Sequence, residues 1–505
     1  MNRNCLLIVI LLFVYSPKGF SVKNPDVRSE RLTKKQLRDK VKGAWAGQVL
    51  GCTYGGPTEF RYVGTMIQDY IPIPWGKDEV KKWFDTAPGL YDDVYVDLTF
   101  VEVFDKYGLN ATVDDFANAF KNSNYPLCHA NQQARYNLIY GATGHEAGFW
   151  KNNPHADCLD FQIEADFAGI MSPGMPNVAS AICDTVGHLM SYGNGWYGGV
   201  YVAGMYSLAF IYDNIEKVVE DALILIPQKS TFYQCIRDVI NWYKKYPGDW
   251  KQTWFEVERK WSEDYACPDG VYVPFNIETP VNAAYIVIGL LYGQGDFERT
   301  LDISTRCGQD SDCNPASAGG ILGTLLGYSH IPEKYRKELI PVEDTPFSHT
   351  PYSLNKAYEV SYKLAFGEIL LHGGEEQSET VTIRAVSPQP VQFEESFGGL
   401  KLLRKDSFYK SIKELPEMEF KGVGMVLKGM LQGDINQEYV GEVAVFMNDQ
   451  LLEKVYLPIK WNNRKHEIFF KYDLPNADYK VRFEWLNPIE GSDIQVTDAI
   501  FYDVE

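Results

Sequence analysis

The residues best suited to chemistry are acids that recur in short groups through the first two-thirds of the chain. The last group lies in "TRCGQDSDCNPASAGGILGTLLGY", residues 305–328, where Asp310 and Asp312 flank Ser311 in a glycine-flanked turn. A long, nearly uncharged segment follows. Such a pair can serve a turn, a helix cap, a calcium loop or half of a catalytic site. The regular D-x-D-x-D-G…E loop of an EF-hand is missing, which removes that motif. Oxygen ligands drawn from several separated loops suit hard Mg²⁺, Mn²⁺ or Ca²⁺ better than zinc.

Three earlier groups could complete such a site. Glu59 closes "GAWAGQVLGCTYGGPTEF", in which Gly47, Gly51, Gly55 and Gly56 permit close approach and a sharp turn after a helix. It is either a loop acid or a side chain aimed at a neighbouring helix terminus. Asp92 and Asp93 precede an apolar-periodic run in "GLYDDVYVDLTFVEVF", a place where helix N–H groups favour negative charge. Capping needs only one of them, and both together could ligate a cation. Asp97, further into that helix, is a candidate for a supporting role. Asp160, Glu164 and Asp166 fall at i, i+4 and i+6 in "DFQIEADFAGIMSPGMPN". Acids this close repel unless exposed, protonated or neutralised, and the following Pro-Gly-Met-Pro turn reads as a ligand-facing loop. His129, His145, His155 and His188 form no H-E-x-x-H or other compact metal pattern. His188 is a packed histidine or a pocket-lining one, and Asn194 is a further pocket candidate.

Helices must position these acids. From about residue 34 to 345, runs such as "LTKKQLRDKVKGAWAGQVLG" and "STFYQCIRDVINWYKKY" space apolar residues at three and four. The apolar stretch at residues 195–212 reads as a helix buried in a globular bundle, because it is rich in small residues. After about residue 375 the period changes to two. "ETVTIRAVSP", "GEVAVFMNDQLLEKVYLPI" and "ADYKVRFEWL" predict an antiparallel β-sandwich over residues 375–505, with a hairpin at Asn448-Asp449. Residues 346–374 read as a linker containing one helix. The fold class is therefore an all-α domain over residues 34–345 followed by an accessory β-sandwich.

The opening segment "MNRNCLLIVILLFVYSPKGFS" has one early cation and a short apolar run. This is the pattern of an export signal over residues 1–20, giving a secreted or periplasmic mature chain. Cys5 lies inside the run, not at its end. Eight further cysteines, with no C-x-x-C pair, indicate neither a zinc knuckle nor a thioredoxin-like site. A net charge of −19 opposes nucleic-acid and anionic-membrane binding, and leaves neutral substrates or anionic ones bridged by a cation. No stable membrane span is expected in the mature chain. Aromatic residues at 14% suit carbohydrate surfaces as well as cores.

The order of these acids resembles the ADP-ribosylglycohydrolase family, related to dinitrogenase-reductase-activating glycohydrolase, over about residues 38–332. "KGAWAGQVLGCTYGGPTEF" matches the family's glycine-rich first helix ending in a glutamate, Glu59. "YDDV" stands where the family has Thr-Asp-Asp-Thr, retaining Asp92 and Asp93. "GQDSDC" stands for Gly-Asp-Thr-Asp-Thr, retaining Asp310 and Asp312. The resemblance implies an all-α fold holding one or two ions, Mg²⁺ or Mn²⁺ before Ca²⁺, on those four aspartates. It also implies cleavage at an anomeric ribose carbon, with Glu59 and Asp166 as candidate acid/base groups. The sequence departs from the family at Tyr91, Val94 and Cys313, which replace threonines, and at Cys52, where many relatives have aspartate. Tyr91 could still offer an oxygen or line the pocket; sulfur at Cys313 is a poor partner for Mg²⁺. The functions implied are an exported metal-dependent glycoside hydrolase, a true ADP-ribosyl hydrolase, or a non-catalytic glycan-binding or structural protein on the same scaffold.

Overall fold

The computed structural model describes residues 27–262 and 267–504. The expected export signal and Cys5 lie outside the described residues. Eighteen α-helices among them, from Lys34–Gly55 to Leu354–Leu371, precede a run of antiparallel strands.

The opening helix, Lys34–Gly55, starts at a capping box in which Thr33 and Gln36 satisfy each other's backbone N–H groups. Gly43, Gly47, Gly51 and Gly55 recur every four residues and so form one stripe along it. The helix Cys313–Leu326 runs antiparallel against that stripe. A Cβ on the four glycines would lie 2.2, 2.1, 2.1 and 2.0 Å from the carbonyl oxygens of Gly323, Gly319, Pro315 and Ser311. The two backbones touch, and no side chain fits between them. This contact fixes the turn at residues 310–312 beside the end of the opening helix, from which Glu59 follows.

The helix Asn194–Ala209 is buried from Gly195 to Ala209, as its small and apolar residues require. No helix among the described residues is long and apolar enough to cross a membrane.

The region expected to be a linker is part of the helical core. Leu354, Ala357, Val360, Leu364 and Ile369 of the helix Leu354–Leu371 are buried, and Trp45 Nε1 donates to Ser361 Oγ at 3.0 Å. Spacing of three and four residues buries one face of this helix, so the segment packs and does not span between domains. The next strands also belong to the helical unit. Strand β1 (Val27–Thr33) pairs antiparallel with β3 (Thr380–Val386), which also pairs with β2 (Glu375–Glu376). Val381 and Ile383 of β3 join the helical core. Residues 375–386 are therefore outside the sandwich, contrary to the sequence expectation.

The sandwich proper starts at Leu400. One sheet holds β4 (Leu400–Ser411), β6 (Gly424–Gln432), β9 (Phe469–Lys471) and β11 (Asp493–Val504), in the order β4-β11-β6-β9. The other holds β5 (Met418–Gly422), β7 (Val440–Met447), β8 (Gln450–Pro458) and β10 (Ala477–Trp485), in the order β5-β10-β7-β8. Val443, Val445, Val481 and Phe483 of one sheet meet Met425, Leu427, Val496 and Phe501 of the other. The alternate residues Ile500 and Tyr502 face outward and pack with Trp150 and Val271 of the helical unit. One sheet is thus buried on both faces. Asn448 and Asp449 have φ of 50° and 62°, which places the expected β7–β8 hairpin on a left-handed two-residue turn.

Candidate metal and catalytic site

Two helix N-termini carry the aspartate pairs. Asp92 and Asp93 form the first turn of the helix Asp92–Tyr107. Asp312 is the N-cap of Cys313–Leu326, but its side chain makes no capping hydrogen bond. The preceding turn passes through the left-handed residues Gly308, at φ 80°, and Gln309, at φ 55°. It is clamped by Gln309 N donating to Tyr62 O at 2.9 Å, and by Asp310 N donating to Asn282 Oδ1 at 3.2 Å. Backbone bonds thus hold the turn, and the carboxyls are left to point inward.

The acids converge. Burial raises the Asp93, Asp310 and Asp312 carboxyls well above the usual range, and the neighbouring carboxylates raise them further. Asp93 feels Asp92 and Asp312, Asp310 feels Asp93 and Glu59, and Asp312 feels Asp310 and Asp92. Glu59, half-buried at the rim, is pushed up to about 9 by burial, then by Asp312 and Asp92. Asp92 reaches solvent, yet it is walled by protein, and desolvation with Asp160 nearby lifts it to about 6. It marks where the cluster opens to water.

Behind this group lie further buried acids. Asp166 Oδ2 accepts from Tyr206 OH at 2.5 Å, and Asp97 Oδ2 accepts from Gln48 Nε2 at 3.0 Å. Asp160 Oδ1 accepts from Asn131 N at 3.0 Å, and Glu164 Oε1 accepts from Asn131 Nδ2 at 2.5 Å. Asp166 is raised to about 8, by burial first. It is completely enclosed behind Asp93, which does not match the expectation of a second substrate-facing carboxyl. The Pro-Gly-Met-Pro turn that follows these acids, residues 173–176, is buried, where a ligand-facing loop was expected.

The remaining sequence candidates occupy positions of their own. Tyr91 OH hydrogen-bonds Thr53 Oγ1 at 2.9 Å, and its ring packs between Phe84 and Phe347, so its oxygen is used in the core. His188 Nε2 lies 3.0 Å from Glu394 Oε1, and its ring rests 4.4 Å from Trp196. Asn194 Nδ2 donates to Asp157 Oδ2 at 3.3 Å, and Asn194 Oδ1 accepts from Phe232 N at 3.2 Å. The pocket-lining role expected of these three residues gives way to packing and chain-fastening contacts.

The donor set fits a hard divalent cation. Asp93 Oδ1 and Asp312 Oδ1 are buried with no hydrogen-bond partner among the described residues, as are Asp97 Oδ1, Asp160 Oδ2, Glu164 Oε2 and Asp166 Oδ1 behind them. Asp93, Asp312 and Cys313 offer atoms within 4.8 Å of one another. Burial and the surrounding carboxylates push the Cys313 thiol well above its ordinary range, so it stays protonated and hydrogen-bonds Asp310. Cys52 Sγ likewise donates to Asp93 Oδ2 at 3.4 Å. Both cysteines that depart from the family pattern serve as donors to carboxylates. Sequence reasoning missed Asn282, Asn131 and Tyr206, the neutral groups that orient the acids. A polar residue inside an apolar helix, as in "TPVNAAYIVIGLLYG", was the available signal.

Carboxylates gathered where two helix N-termini meet define an all-α scaffold with a polyacidic site. The chain belongs to the ADP-ribosylglycohydrolase family, whose model matches residues 33–350. One solved structure, described as an ADP-ribosylglycohydrolase-related protein complex, aligns at 13% identity with a TM-score of 0.39, over 66% of this chain and 99% of that one. Comparison with curated protein sequences finds no match.

Proposed function

We propose that the chain is a divalent-cation-dependent glycoside hydrolase, cleaving at a ribose-like or other sugar anomeric carbon, with ADP-ribosyl compounds as the first substrate class to test. Convergence of Glu59, Asp92, Asp93, Asp310 and Asp312, with buried oxygens on Asp93 and Asp312 lacking partners, carries this reading. Family membership supports the glycohydrolase class. The apolar opening segment supports export.

Asp92, Asp93, Asp310 and Asp312 would hold Mg²⁺ or Mn²⁺. The cation would supply positive charge that neutralises these carboxylates and orients vicinal sugar hydroxyls. Glu59, half-buried and raised to about 9 in the cation-free chain, would give its proton to the departing oxygen as general acid. Asp166, hydrogen-bonded by Tyr206, lies within electrostatic reach of Asp93 and is a positioning residue. Cys52 and Cys313 each fix one carboxylate oxygen by donating to it.

A hydrolysis screen of ADP-ribosyl compounds and diverse furanosides, with and without Mn²⁺ or Mg²⁺, tests the proposal. Sugar release that requires the cation and is lost in Asp310→Asn supports it. Release indifferent to EDTA and to that substitution sinks it.

A further inference from the structure

Another cluster of metal-ligating side chains lies where the helical domain meets the sandwich, and it uses none of the carboxylates assigned to the cation above. His155 and Cys158 are fully buried and Cys267 is 1% exposed. The two sulfurs are 3.2 Å apart, and His155 Nδ1 lies 3.4 Å from Cys267 Sγ and 3.7 Å from Cys158 Sγ. On the other side of the ring, His155 Nε2 is 2.9 Å from Glu467 Oε1. This hydrogen bond places the proton on Nε2 and turns the Nδ1 lone pair towards both sulfurs. Asp269 Oδ2 is 3.8 Å from the same Nδ1, with His129 Nε2 and His466 Nε2 at 3.3 and 3.5 Å from that oxygen. Lys428 pairs with Asp269 Oδ1.

These separations approach one face of a small tetrahedron, and the sulfurs, at 3.2 Å, must open by about half an ångström to take an ion. Bonds of about 2.3 Å to sulfur and about 2.0 Å to nitrogen put neighbouring donors roughly 3.5–3.8 Å apart. The Glu467 contact also matches the usual arrangement of a ligating histidine, whose second nitrogen donates to a carboxylate. Thiolate and imidazole donors select a borderline metal such as zinc over the Mg²⁺ or Mn²⁺ suited to the oxygen site. Spacing concealed the cluster. His155-x-x-Cys158 lies far from Cys267-x-Asp269 in sequence, and Glu467 comes from the sandwich.

We propose that Cys158, Cys267 and His155, all of the helical domain, bind one transition-metal ion of zinc type, and that the hydrogen bond from His155 to Glu467 ties this site to the sandwich. Binding displaces one proton from each thiol to solvent and needs no oxidant.

The test uses the full chain, purified under reducing conditions with zinc supplied and then freed of loose metal. Elemental analysis should find one zinc per chain. Cys158→Ser and Cys267→Ser should each lose it, while Asp310→Asn keeps it. Cobalt loaded in place of zinc should give a thiolate charge-transfer band that both serine variants lack. If a serine variant fails to fold, the cobalt spectrum of the wild-type chain decides alone, with the band supporting the proposal and its absence overturning it. A folded wild-type chain that takes up neither metal also overturns it. So does an intact mass two hydrogens lighter with Cys158 and Cys267 joined as a disulfide.

Discussion

A Cβ on Gly55 would sit 2.0 Å from the carbonyl oxygen of Ser311, so the end of the opening helix and the Asp310–Asp312 turn are in direct backbone contact. The Asp310–Asp312 half of the cation site depends on that approach. Gly51→Ala and Gly55→Ala should each destabilise the fold by about 2–3 kcal/mol, because backbone cannot yield as a flexible side chain does. Gly248→Ala, which meets nothing within 4 Å, should be near neutral. Urea unfolding of the three variants measures the difference. Equal effects would show that the glycine stripe is not a packing requirement.

Like charges buried together destabilise a cation-free protein. Asp93→Asn and Asp312→Asn should therefore raise the melting temperature measured in EDTA, by roughly 1 kcal/mol equivalent, since each removes a buried like charge. The same substitutions should abolish the stabilisation that Mn²⁺ gives the wild-type chain. Thermal melts with EDTA and with Mn²⁺ provide both readings. A variant less stable in EDTA yet still stabilised by Mn²⁺ would place the cation elsewhere.

The pH dependence has a definite sign. Asp92, Asp166 and Glu59 are raised in the folded chain to about 6, about 8 and about 9, in each case by burial first. Unfolded carboxyls titrate near 4. The folded state therefore binds more protons, and its stability is full below pH ~4 for these groups and is lost as pH rises through ~6 to ~9. Stability in EDTA should fall between pH ~5 and ~9, with Asp166 and Glu59 giving most of the loss because exposed Asp92 is screened by solvent, and a saturating divalent cation should flatten the slope. Stability in EDTA that rises across this range would contradict the assignment.

His188 titrates in the same window for a different reason. Burial opposes its charged form, but Asp184 and Glu394 outweigh that cost and raise it to about 9. Its pairing with Glu394 fastens the strand-free segment between β3 and β4 to the helical unit. The stabilisation is complete below pH ~6.5 and disappears as pH passes ~9. His188→Gln should cost about 1–3 kcal/mol at pH ~6 and much less at pH ~9.5. A pH-independent loss would mean that the ring acts through packing on Trp196 alone.

The change of period from helical to alternating was legible because it is local, and the Asn448-Asp449 turn carried its own signal. Asp92-Asp93 and Asp310-x-Asp312 were each visible as short acid groups, but only the resemblance to the family paired them. The partner of the glycine stripe could not be read, since its contacts join Gly43 to Gly323 across the chain. The helix expected within the linker, Leu354–Leu371, docks on the core through a face that includes Ser361, whose partner Trp45 lies far away in sequence. His188 and Asn194 invited a pocket role, but their partners Glu394 and Asp157 are visible only in three dimensions. The His155–Cys158–Cys267 cluster was hidden for the same reason.

The central claim is that the four aspartates form one cation site that serves hydrolysis. Calorimetric titration of EDTA-stripped chain with Mn²⁺, run beside sugar release on the best substrate, tests it most directly. The wild-type chain should bind Mn²⁺ and regain activity in step with occupancy. Asp310→Asn should lose both by at least tenfold while remaining folded. Full turnover in the stripped chain, or Mn²⁺ binding that Asp310→Asn leaves unchanged, would contradict the account.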